Sequence, residues 1–252
     1  MFQRLLIGVL SLALYGYFFV GADQMTEFTR IAEAAVGVAP SAPSIAVSAP
    51  SVNGALTANG LVDPTSGFLI IDKTVTALGD LKPAGEQTDR KYERRAFGAP
   101  WADVDGNGCD TRNDVLTRDL REVTYAPGGI CVVATGFLTD PYTGKTVPFT
   151  KKRASEIPID HVVALSWAWS NGASGWTPEQ RQRFANDPMN LTATTRDANS
   201  AKSDRGPSQW RPANEAYRCE YIARFVYVTG VYGLTIGDGD RNAARRGLAA
   251  CQ

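Results

Sequence analysis

Four cysteines behind an apolar leader constrain this chain more than any other feature. Arg4 opens a segment, Leu5 to Val20, that is apolar apart from Gly8, Ser11, Gly16 and two tyrosines, and Val20-Gly21-Ala22 then supplies small residues for cleavage after Ala22. The run is short for a bilayer span, which needs about 20 residues. Residues 1–22 therefore read as a signal peptide and the chain as secreted, with a membrane or cell-surface tether only if that segment stays uncleaved. An even number of cysteines in an exported chain forms disulfides. Cys109, Cys131, Cys219 and Cys251 allow three pairings. Pairing neighbours, Cys109 with Cys131 and Cys219 with Cys251, closes the shortest loops. No C-x-x-C spacing occurs, which argues against a zinc knuckle or a dithiol redox centre.

Residues 23–60 are rich in Ala, Ser, Pro and Val, as in Ala39-Pro40-Ser41-Ala42-Pro43-Ser44. Such a stretch cannot bury a core and reads as a linker, leaving one folded domain over 61–252. The formal net charge is zero. A nucleic-acid binder often carries a basic excess, and the total here lacks one. The distribution is uneven, however. Asp23 to Thr150 holds 11 basic and 16 acidic residues, whereas Lys151 to Gln252 holds 14 basic and 10 acidic. A polyanion is drawn to the C-terminal part.

Within the domain, Asn113 to Leu120 reads as a short helix, and Val123 to Tyr125 and Ile130 to Phe137 as strands. Asp140-Pro141-Tyr142-Thr143-Gly144 carries the turn chemistry of a hairpin. Ile157-Pro158-Ile159 suits an edge strand, because Pro158 cannot donate to a ladder. Val162 to Trp169 is apolar and helical in pattern, and Thr177-Pro178-Glu179-Gln180 is a helix start that ends its helix near Asn186-Asp187-Pro188. Asn190 to Thr195 reads as a strand and Arg196 to Ser203 as a helix. Tyr217, Tyr221, Phe225, Val228 and Tyr232 make one buried stripe on a long helix. Asp240 is placed to cap a last helix carrying Cys251, so that a Cys219–Cys251 bridge would staple the two final helices.

His161 is the only histidine. A three-histidine metal site is thereby excluded, and any hydrolase built on an imidazole has to use this residue. Neither a G-x-S-x-G elbow nor a phosphate-binding P-loop motif is present. Histidine suits a general base because its pKa lies near neutrality. Asp160 before it is a hard oxygen donor of the kind Mg²⁺ or Mn²⁺ prefers. Some thirty residues on, Asn190 stands at the entry to a strand, and Arg196, Asn199 and Lys202 share a helix face that can offer one oxygen ligand and two cations.

Ile159-Asp160-His161-Val162-Val163, Asp187 to Leu191 and Asn199-Ser200-Ala201-Lys202-Ser203-Asp204, in that order and spacing, resemble the HNH endonuclease signature. The nearest branch is secreted bacterial nuclease-like proteins, similar to the C-terminal domain of GmrSD-type restriction enzymes. The likeness covers roughly Trp101 to Cys251. It implies an α+β fold with a ββα-metal core, additional helices and a small N-terminal β-hairpin region. It further implies an endonuclease acting on nucleic acid, DNA favoured over RNA, with one divalent metal, Mg²⁺ or Mn²⁺. No obligate protein partner follows from it. By the resemblance Asp160 and Asn199 bind the metal, His161 activates water, and Asn190 accepts the other imidazole N–H. Lys202, Arg205, Arg196 and Arg112 become candidates for substrate contact. Adjacent strand residues point to opposite faces, so Asp160 and His161 share a cleft only if the strand ends between them.

Asp103, Asp105 and Asn107, with Gly at the sixth position and Asp114 at the twelfth, resemble a calcium-binding loop that would hold a structural Ca²⁺. The missing glutamate at the twelfth position favours a plain turn leading into the helix at Asn113. Arg118 and Arg121 fit either a solvated face or a substrate groove, and Trp167, Trp169 and Trp176 either base stacking or core. The rival to an enzyme is a secreted, non-catalytic, disulfide-stabilised binding module on the same fold, for which His161 would be dispensable.

Overall fold

The computed structural model describes residues 56–66, 69–85 and 90–251. The expected signal peptide, and the linker up to residue 55, lie outside the described residues. The architecture mixes helix and sheet, as an α+β chain should. Among the described residues the strands form three small sheets.

Helix α1 (Ile71–Asp80) buries Ile71, Thr74, Ala77 and Leu78, the spacing of one helical stripe. β1 (Lys82–Pro83) pairs in parallel with β7 (Thr235–Ile236). Helix α2 (Thr111–Asp119) starts at Asp110, whose carboxylate accepts the amide of Asn113 at 2.9 Å. β2 (Leu120–Tyr125), β3 (Val133–Thr139) and β4 (Thr146–Thr150) then form an antiparallel meander. The turn foreseen at Asp140 to Gly144 joins β3 to β4, with Thr139 opposite Thr146, and Gly144 takes the left-handed backbone (φ 74°) that closes it.

β5 (Ile159–His161) and β6 (Leu191–Ala193) form the antiparallel pair that matters for function, with Asp160 opposite Thr192 and His161 opposite Leu191. Between them run α3 (Leu165–Ser170) and α4 (Pro178–Ala185). Thr177 and Gln180 make the reciprocal capping box that their spacing announces. Helix α5 (Arg196–Lys202) follows β6 directly. The long helix α6 (Arg218–Val231) is buried on nearly all sides, and α7 (Asp238–Ala249) packs beside it.

The larger core gathers α1, α3, α6 and α7, and it already includes Leu56. A smaller one gathers α2 and the meander. The β5–β6 pair lies between them: Ile159, Leu191 and Ala193 face the smaller core, and Val162 and Val163 enter the larger. Arg224 of α6 fixes this junction, giving its guanidinium to the carbonyls of Met189 and Leu191 at 2.9 and 2.8 Å. A buried arginine of this kind satisfies carbonyls that the strand entry leaves open.

Two expectations need correction. Asp240 is not the cap of α7, which Gly237 precedes; its carboxylate instead accepts Ser208 and the Trp167 indole. Trp167, Trp169 and Trp176, by contrast, take the core role that helical aromatics more often have, packing edge-on or tilted against Phe225, Phe97 and Phe184. The helix foreseen at Val162 begins only at Leu165, because Val163 is clamped in an extended loop.

The disulfides are Cys109–Cys131 and Cys219–Cys251, and no free cysteine remains among the described residues. The second joins α6 to the end of α7 across 32 residues. A loop of that length gives an entropic stabilisation of about 3–4 kcal/mol. Replacing Cys219 and Cys251 together by alanine should lower the unfolding free energy in urea by about that amount; a loss below about 1 kcal/mol would mean the bridge adds little to packing already made by the two helices.

Candidate active site

His161 ends β5 with 7 % of its surface exposed. Its Nε2 lies 2.9 Å from the carbonyl of Ala185, the last residue of α4. A carbonyl can only accept, so Nε2 carries the proton and the neutral ring keeps its lone pair on Nδ1. Burial pushes the imidazole pKa down to about 4; the Ala185 bond and the Asp160 charge oppose that shift, and the charges of Arg94 and Lys202 add to it. The ring is therefore an uncharged, oriented base at neutral pH.

Protonation and stability are linked through this shift. Between the unperturbed 6.5 and about 4 the unfolded chain takes up a proton that the folded ring refuses. Stability should therefore fall as the pH drops through that window, by up to about 3 kcal/mol. The lone histidine gives a single imidazole signal in ¹⁵N NMR, which should show the Nε2–H form and titrate near pH 4. A midpoint near 6.5 would contradict the buried, tethered ring.

Asn190 does not meet the imidazole as the sequence suggested. Its side chain is fully buried and bonds the backbone of Val163 at both ends: Oδ1 accepts the Val163 amide at 2.8 Å and Nδ2 donates to the Val163 carbonyl at 3.2 Å. The role is to lock the chain just after His161, while the Ala185 carbonyl accepts the ring N–H. Periodicity cannot reveal a main-chain partner, so this contact had no signal in the sequence.

Asp160 leaves β5 on the other face. The strand includes both residues and does not end between them, so their side chains do not share a cleft. Oδ2 of Asp160 accepts the Tyr142 hydroxyl at 2.7 Å and pairs with the Lys202 ammonium at 3.0 Å. Lys202 also donates to the carbonyl of His161 at 2.7 Å. Burial and the Asp160 charge hold the Tyr142 hydroxyl well above its usual pKa, so it stays a donor. Lys202 is thus an internal counter-charge with none of its surface exposed, and not the surface phosphate contact expected of it.

The remaining candidates divide. Asn199 is half-buried one turn before Lys202 on α5. Arg196 and Arg205 are exposed, bonded to the carbonyls of Ser155 and Ala201. Arg112 is turned inward to the carbonyls of Ala154 and Ile157, and Arg118 to those of Pro188 and Leu191, so both brace backbone, although Arg118 also lines a cavity with Arg121. Asp103, Asp105, Asn107 and Asp114 do come together. The Asn107 amide donates to Asp105 and Asp114, and Asp103 accepts the amides of Gly106 and Gly108, which is a hydrogen-bonded turn.

Two features escaped the sequence. Asp140 is a fully buried carboxylate that accepts Tyr142, Thr143, Thr194 and Thr195, tying the β3–β4 turn to the start of α5. Arg94 and Asn186 line a cavity of about 320 Å³ together with His161.

A hard divalent ion wants oxygen donors and keeps several waters. Asp160 and Asn199 are donors of that kind, on two elements that Lys202 already joins. Among the described residues no three His, Cys, Asp or Glu side chains are grouped so as to hold a metal ion, the Asp103–Asp114 turn included. Asp160 is already neutralised by Lys202 and bonded by Tyr142 on the face of β5 away from His161, so the described side chains do not form a site that fits a divalent ion beside the imidazole.

The model of the GmrSD restriction endonuclease C-terminal domain matches residues 110–238, half of the chain and the part that contains β5, β6 and α5. The chain is also 39 % identical over 173 residues, 68 % of its own length and 80 % of the other's, to a protein of Arthroderma benhamiae named as an uncharacterized secreted protein. No solved structure matches. With the single histidine, its Asn190-locked loop and the β5–β6–α5 order all inside the matched region, the chain belongs to the family of GmrSD restriction endonuclease C-terminal domains.

Proposed function

We propose that this chain is a secreted, metal-dependent endonuclease that hydrolyses phosphodiester bonds, DNA first among its substrates, with His161 as the base. The imidazole carries the reading: it is buried, tethered at Nε2 to an acceptor-only carbonyl, and lines a cavity that the cationic side chain of Arg94 also lines. Family membership supports nuclease chemistry, and the apolar leader together with the relative's printed name supports export from residue 23 onward. Two antiparallel strands followed by a helix, β5–β6–α5, are read as the ββα core.

In this mechanism Nδ1 of His161 takes a proton from a water whose oxygen attacks phosphorus. The bond to the 3′ oxygen breaks, and that oxygen gains its proton from solvent. The Ala185 carbonyl holds the ring through the step and stabilises the imidazolium, since Nε2–H stays bonded to it. Asn190 keeps the His161–Val163 segment from drifting, which matters because small misplacements of a base cost rate heavily. Nuclease chemistry of this family would call on a divalent ion to supply positive charge for the phosphate oxygens and the departing oxygen; Asp160, turned away from His161 and paired with Lys202, is not placed to bring one to that phosphate, and no step runs through it. Arg196 and Arg205, exposed on and after α5, meet the flanking phosphates.

The test is incubation of the protein from Asp23 onward with supercoiled plasmid and with RNA, in Mg²⁺, in Mn²⁺ and in EDTA. Cutting that needs a divalent ion and stops in EDTA is the expected result. Folded, disulfide-bonded protein that cuts nothing would leave the non-catalytic binding module as the better reading.

A further inference from the structure

The cavity beside His161 is built for more than a water. Its walls are largely apolar: Phe97 and Trp101 come from the segment just before the family-matched region, and Leu165 from α3. At about 320 Å³ it stands at the lower end of small-molecule pockets, roughly 300–1,000 Å³. Asn186 lines it with 1 % of its surface exposed. The Asn186 Nδ2 donates to the carbonyl of Gln182 at 2.9 Å. That carbonyl can only accept, so the amide cannot be the other way round and Oδ1 is the free end. Among the described residues this buried oxygen has no hydrogen-bond partner. Leaving such an acceptor unsatisfied is costly, and a bound N–H relieves it. Trp101 is held in the left-handed region (φ 59°), an unusual backbone for a bulky residue. Arg94 adds a cation to the lining, on the exposed side.

We infer that this cavity receives one unstacked nucleobase of the substrate strand, its edge N–H donated to Asn186 Oδ1 and its faces against Trp101 and Phe97, while Arg94 meets the adjoining phosphate. Resting on the nuclease reading of His161, this names the substrate class: a strand with an unpaired nucleotide next to the scissile bond. A base inside a duplex cannot reach such a pocket without being extruded. Aromatic walls accept any base face, and every base has an edge N–H to give to the single acceptor, so the pocket is tolerant of base identity.

Deoxyadenosine monophosphate and 2-deoxyribose 5-phosphate, which lacks the base, separate the pocket from the phosphate contact. Both are titrated into the protein in EDTA, where binding needs no hydrolysis, and followed by the single imidazole signal. The nucleotide should bind at least 10-fold more tightly than the sugar phosphate. That advantage should vanish in Asn186→Leu and in Trp101→Ala, with circular dichroism confirming the fold of each variant, since Trp101 is half-buried against the edge of the smaller core. Equal binding of the two ligands to the wild-type protein would overturn the inference, as would an advantage kept by both variants. The two readings fail separately. Protein that cuts DNA without preferring the nucleotide sinks the pocket alone, and protein that prefers the nucleotide but cuts nothing sinks the nuclease alone.

Discussion

Replacing Lys202 by methionine is expected to cost the fold about 3–5 kcal/mol, the effect of stripping one partner from a buried ion pair. The ammonium is enclosed, paired with Asp160 at 3.0 Å and bonded to the His161 carbonyl at 2.7 Å. Methionine fills the same volume without the charge, so Asp160 is left with only the Tyr142 hydroxyl. The double variant Lys202→Met/Asp160→Asn removes both charges and should regain at least about 1–2 kcal/mol of the loss, because the penalty lies in the uncompensated carboxylate more than in the missing contact. Urea unfolding of the wild type, the two single variants and the double variant measures this. Additive losses, with no recovery in the double variant, would show that the two groups do not depend on each other.

That pair also marks where the sequence stopped being informative. Turn chemistry placed the β3–β4 hairpin, the Thr177 box placed α4, and the spacing of Tyr217, Tyr221, Phe225 and Val228 placed the long helix, because each of these is a local signal. Asp160, His161, Asn190 and Asn199 stand together in the sequence only through a resemblance of order and spacing. Their partners were not legible at all. The carbonyl of Ala185, the buried Lys202 and the Tyr142 hydroxyl meet β5 only through tertiary packing. Lys202 illustrates the point. Helical spacing puts it on the same face as Asn199, which suggested a phosphate contact, yet that face turns inward onto β5 and converts a surface cation into a structural one. Arg112 erred in the same direction, since a guanidinium that can bind a phosphate can equally gather backbone carbonyls. Asn186 read as a helix stop, and nothing local distinguishes a stop from a stop whose amide oxygen lines a cavity.

The larger functional effect belongs to His161. Glutamine there has an amide that can still donate to the Ala185 carbonyl, so the loop and strand end keep their tether, but it has no lone pair basic enough to take a proton from water. Loss of a general base slows a reaction by about 10²–10⁴-fold. The loss should fall on kcat, with substrate affinity in EDTA little changed, because the exposed Arg196 and Arg205 and the lining of the cavity other than His161 are untouched. A structural role for the histidine would instead lower thermal stability without a selective fall in turnover. The decisive measurement is the rate of plasmid nicking in Mn²⁺ by wild type and His161→Gln side by side, with matched circular dichroism and melting temperature. The account predicts at least a 100-fold slower rate from an equally folded variant; cutting at the wild-type rate by His161→Gln would contradict it.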